Sequence, residues 1–93
     1  MVLEKKIILR SDKGKTLVVH ARVNDGVLEE IVFGGDYFAY PEDSILVLEE
    51  KLRGLKLDEA LRIIDEALRD TVLLGISVED LKEGIRRILE DTG

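Results

Sequence analysis

At Pro41 the apolar pattern of this chain changes from the period of a strand to the period of a helix, and that single switch constrains the fold more than any other feature. Before it, Leu17, Val19, Ala21 and Val23 alternate with Val18, His20 and Arg22, the signature of a sheet with one face on the core. Two turn signals divide this half into three strands. Ser11-Asp12-Lys13-Gly14-Lys15 separates Leu3–Arg10 from Thr16–Asn24, and Asn24-Asp25-Gly26 separates that run from Val27–Phe33. Asx-Gly pairs tolerate the backbone angles of tight hairpins, so a three-stranded antiparallel meander is expected.

After the switch, Pro41 suits the first position of a helix, with Glu42 and Asp43 at the positive end of its dipole. Ile45, Leu48 and Leu52 repeat at helical spacing until Gly54 supplies a stop. Asp58 is placed to cap a second helix whose stripe is Ala60, Leu61, Ile64, Ala67 and Leu68. Ser77 is placed to cap a third, with Asp80 in the capping-box position and a stripe of Val78, Leu81, Ile85, Ile88 and Leu89. Gly84, a poor residue for a helix interior, allows a neighbour to pack closely there. Strands first and helices second predict an α+β fold: three strands in an antiparallel sheet, then three helices packed on one face, in the order βββααα. Residues 1–93 make one domain, and the last three, Asp91-Thr92-Gly93, are expected to fray.

Composition excludes several functions. The chain has no cysteine, which removes disulfides, thiolate metal sites and cysteine nucleophiles together. A net charge of −6 argues against nucleic acid, whose phosphates it would repel. No segment approaches the length of a membrane span or a signal peptide, so a soluble cytoplasmic protein is expected. One Asn and no Gln among many Glu, Lys and Arg resemble the composition of heat-adapted proteins.

The residues for independent chemistry are sparse. His20, the single histidine, sits mid-strand opposite the Leu17/Val19 stripe, with no Ser or Cys nucleophile beside it. Ser11, Ser44 and Ser77 fall where turns and caps explain them. Glu49-Glu50, Asp65-Glu66 and Glu79-Asp80 are adjacent in sequence, so they diverge around a helix and read as solvated faces. Gly34-Gly35 lacks the Lys-Ser/Thr of a phosphate loop and the third glycine of a dinucleotide loop. Metal and catalytic residues are therefore expected to be absent.

One stretch stands out, Gly34-Gly35-Asp36-Tyr37-Phe38-Ala39-Tyr40-Pro41, with three of the four aromatic residues and the only proline. Two readings are open. Tyr37 and Phe38 could plug the end of a small core, or the aromatics beside Asp36 could form a partly wet recognition surface. Asp36 could equally cap a turn or orient a partner.

These residues resemble the accessory domain of lipoate–protein ligases. That family shows a Gly-turned hairpin, a strand, then Gly-Asp-Phe-Phe leading into helices with a Leu-x-Gly stop. Here Asn24-Asp25-Gly26-Val27-Leu28-Glu29-Glu30-Ile31 matches the hairpin and strand, Gly35-Asp36-Tyr37-Phe38 the signature, and Leu48 to Leu55, with Leu52-Arg53-Gly54, the helix and stop. Lys13-Gly14-Lys15 fits the first turn, and Tyr37 replaces the usual first Phe. The resemblance implies a non-catalytic, free-standing subunit, a reading that the closeness of Met1 to the first strand favours. It implies a heterodimer with a separate catalytic chain, which uses ATP, Mg and lipoate to make lipoyl-adenylate and modify a lysine of an acceptor domain. The acceptor domain is a further implied partner, and no cofactor is expected on this chain alone. Of the residues here, Gly35, Asp36, Tyr37 and Phe38 map onto the family motif, and Tyr40 adjoins it as a candidate interface residue. The absent cysteines count against the similarly folded iron–sulfur assembly proteins. A self-associating structural or small-ligand-binding domain is the alternative.

Overall fold

A computed structural model of the chain describes residues 1–90, so the expectation for residues 91–93 lies outside the described residues. Three strands, β1 (Val2–Arg10), β2 (Thr16–Asn24) and β3 (Val27–Gly35), form an antiparallel sheet in the order β1-β2-β3. Then follow β4 (Phe38–Tyr40), α1 (Ser44–Leu52), α2 (Leu57–Ala67), β5 (Val72–Leu74) and α3 (Val78–Glu90). The α+β meander with three helices is as the periodicity predicts. The antiparallel pair β4–β5 is an addition to it.

The core lies between the meander and the helices. Leu17, Val19, Ala21 and Val23 are all buried, as their alternation requires. On β3 the buried residues are Leu28, Ile31 and Phe33, which a strict alternation could not place on one face. The register explains it. Arg22 pairs with Glu30 and Val23 with Leu28, so Glu29 is an extra residue that shifts the parity of the strand. Helices α1 and α3 pack on the sheet, while α2 packs against both of them. Gly84 lies against β2, where an added Cβ would stand 2.9 Å from Val19 Cγ2. The glycine in α3 is therefore a close-packing device, as its position implied.

Two helix starts differ from expectation. Helix α1 begins at Ser44, not Pro41, because Tyr40 is still paired with Val72 in β4. Pro41 instead follows a cis peptide bond, and its carbonyl accepts the Ser44 N–H at 3.0 Å. Helix α2 begins one residue before Asp58. The Glu59 carboxylate accepts the Lys56 N–H at 3.3 Å, making Lys56 the cap position and Asp58 a first-turn residue.

The third start is as expected and more connected. Asp80 Oδ2 accepts the Ser77 N–H at 2.8 Å, while Ser77 Oγ accepts the Asp80 N–H at 3.2 Å. Ser11, buried in the β1–β2 turn, donates its hydroxyl to the same Asp80 oxygen at 2.5 Å. One carboxylate thus caps α3 and ties the first hairpin to it. Partial burial opposes the charge on Asp80, but the bonds from Ser11 and Ser77 outweigh it and hold its pKa below the ordinary value.

Candidate partner interface

Gly35 ends β3 at a φ of 133°, and a Cβ there would overlap the Thr16 carbonyl oxygen. No other residue fits without moving the turn. Asp36 follows and closes the same corner. Its Oδ1 accepts the Thr16 N–H at 3.0 Å, and Lys15 Nζ stands 3.9 Å from Oδ2. The Thr16 bond, supported by the charges of Lys15 and Arg10, holds the Asp36 carboxyl below its ordinary value. The turn-capping reading of Asp36 thus has a visible partner within the chain.

Tyr37 and Phe38 separate in role. Tyr37 is half-buried against the core, and its hydroxyl donates to the Phe33 carbonyl at 2.7 Å. Burial, reinforced by the nearby Glu49, pushes that hydroxyl up to about 12. Phe38 does not plug the core: it is 69% exposed. The reason is the short strand it opens. In β4, Ala39 faces inward, so Phe38 and Tyr40 must face outward.

Strand β5 completes the face. Phe38 pairs with Leu74 and Tyr40 with Val72, and these four side chains are between 57% and 70% exposed. Val72 and Leu74 were not singled out from the sequence. Their signal was an apolar run, Val72 to Leu74, bounded by Asp70-Thr71 and Gly75, too short to separate from a loop. The structure therefore brings Phe38 and Tyr40 together with two aliphatic residues. Gly35, Asp36 and Tyr37 hold the corner beneath them.

The edge of β3 beside this corner is guarded. Glu49 on α1 accepts the Phe33 N–H at 2.7 Å, and Tyr37 occupies the Phe33 carbonyl. Edge amides are thereby closed to strand pairing at this residue. Burial pushes the Glu49 carboxyl above its ordinary value, against the lowering effect of the Phe33 bond. His20 lies elsewhere, exposed on the outer face of the meander between Lys6 and Val32. Among the described residues no three His, Asp or Glu side chains gather to hold a metal ion.

No family model matches the sequence. A relative, lipoate-protein ligase A subunit 2 of Thermoplasma acidophilum, is 36% identical over 62 residues, which span 66% of this chain and 66% of the relative. The fold is similar to a chain in the solved structure of an archaeal bi-partite lipoate protein ligase and its E2 lipoyl domain from the same organism. That match has a TM-score of 0.84 at 26% identity and covers 92% of this chain and 98% of the other. With a sequence relative and a near-complete structural match agreeing, the chain belongs to the family of lipoate–protein ligase accessory subunits.

Proposed function

We propose that this chain pairs with a separate lipoate–protein ligase catalytic chain and, without reacting groups of its own, supports lipoate adenylation and lipoyl transfer to an acceptor-domain lysine. The observation that carries the reading is the outward face of β4–β5. Phe38, Tyr40, Val72 and Leu74 form one exposed apolar surface on a small domain, as expected where a partner removes it from water. The family supplies the partner: the relative is by name a ligase subunit, and the similar structure is a bi-partite ligase.

An accessory chain can act without touching the reacting atoms. By packing against the catalytic chain it restricts the loops over a reactive acyl-adenylate and excludes water from it. In this reading ATP, magnesium and lipoate are handled by the catalytic chain. Gly35, Asp36 and Tyr37 serve by fixing the corner from which Phe38 and Tyr40 project.

Reconstitution tests it. The chain is mixed with the catalytic chain from the same genome, and lipoyl-adenylate formation and acceptor modification are followed. Phe38→Ser with Tyr40→Ser should lower adenylate formation at least tenfold while the thermal melt is nearly unchanged. Activity equally high without this chain would sink the reading.

A further inference from the structure

Next to the apolar face of β4–β5 runs a groove between the edge of β3 and helix α1. It has a volume of about 470 Å³, with Val32, Phe38, Ile45 and Leu46 on its walls and Glu42 and Glu49 beside them. A second depression of about 270 Å³ shares Val32, Leu46 and Glu49 with it and continues toward Glu30, Glu50 and Arg53. Three wall residues are unusually open for their type: Val32 at 52%, Leu46 at 65% and Phe38 at 69%.

Its charge is one-sided. Glu30, Glu42, Glu49 and Glu50 border the two depressions, against Arg53 alone, and Arg53 is engaged with Glu30 at 3.5 Å. Its backbone is also selective. Phe33 has both main-chain groups occupied by Glu49 and Tyr37. Strand alternation turns the Ile31 N–H and C=O toward the same edge, where an extended chain could reach them.

We infer that this groove receives an extended segment of the catalytic chain, with an aliphatic or aromatic side chain between Val32, Leu46 and Phe38 and a lysine or arginine beside it. The inference rests on the pairing proposed above and names the chemistry of the partner segment. Opposite charge selects the segment: a cation beside Glu42 and the half-buried Glu49 gains where an anion is repelled. The same charges disfavour a second copy, because each copy carries −6 and would bring an acidic groove to the contact. Main-chain bonding at Ile31 favours an extended segment over a helix.

The test is isothermal titration of this chain with the catalytic chain of the same organism. Leu46→Asp should weaken binding at least tenfold, and Glu42→Lys with Glu50→Lys should weaken it and flatten its salt dependence. Circular dichroism melts verify that each variant folds; all three positions are exposed. Ile8→Asp, on the exposed outer face of the meander, serves as the control and should bind like the parent chain. If the parent chain binds and the groove variants bind equally well, the groove inference is wrong while the pairing stands. If the parent chain does not bind, both fall. A homodimer of this chain alone, dissolved by Leu46→Asp in size-exclusion chromatography with light scattering, would overturn the inference in favour of a second copy.

Discussion

The outer faces of the two sheets are both uncovered, yet they are built differently. On the meander, away from the β3 edge that carries Val32 and Glu30, Ile8 is exposed among Glu4, Lys6, Arg10, His20 and Arg22. Arg22 lies at the centre of a charge network there, 3.2 Å from Glu4 and 3.5 Å from Glu30. On β4–β5 every outward residue is apolar or aromatic. An exposed Ile among charges is ordinary surface, because no protein has enough polar atoms to cover itself. Four adjacent apolar side chains with no charge between them are not. Composition across a face, not exposure of single residues, is therefore what singles out β4–β5 as the candidate interface.

The contrast breaks most sharply if stability and pairing are measured together. Leu17→Ala, beneath the meander and fully buried, should cost about 2–5 kcal/mol in urea unfolding. Phe38→Ser should stay within about 1 kcal/mol of the parent yet impair pairing. Comparable losses of stability would mean that Phe38 is core after all.

A smaller effect is expected where the meander is tied to α3. Asp80→Ala should cost about 2 kcal/mol, since it removes the carboxylate half of the α3 capping box and leaves the buried Ser11 hydroxyl without its acceptor. The sign with pH follows from its lowered pKa. Its contribution is complete above the ordinary carboxylate value of 3.8 and is lost as pH falls through the lower folded value. An acid-unfolding profile of Asp80→Ala should lack that part of the slope.

At the corner between the two faces, Tyr37→Phe should cost about 1 kcal/mol by deleting the bond to the Phe33 carbonyl. Here the folded pKa is raised, so the stabilisation is present below the ordinary 10.0 and lost as pH rises through about 12. Ultraviolet titration should show one phenol ionising near 12 in the parent chain and none in the variant. The smallest effect belongs to His20→Ala on the outer meander face, which should change stability by less than about 0.5 kcal/mol and leave pairing unaltered. Lost pairing in that variant would reverse the assignment of the two faces.

The meander, the helical half and the lack of cysteine chemistry could all be read from residue types and their spacing. Asx-Gly turns and the period of apolar residues act locally, so Asn24-Asp25-Gly26 and the Leu17/Val19 stripe were legible without a partner element. The same holds for the Ser77–Asp80 cap and for the close packing at Gly84. The Gly35-Asp36-Tyr37-Phe38 motif pointed, through its resemblance, to the family. Tertiary structure alone decided which of those residues reach outward. Phe38 is exposed and Tyr37 half-buried because β4 pairs with β5, a strand of three residues distant in sequence and without a periodic signal of its own. That pairing delays α1 to Ser44, and the extra Glu29 shifts the parity of β3. Each depends on contacts between distant segments, which no local pattern encodes.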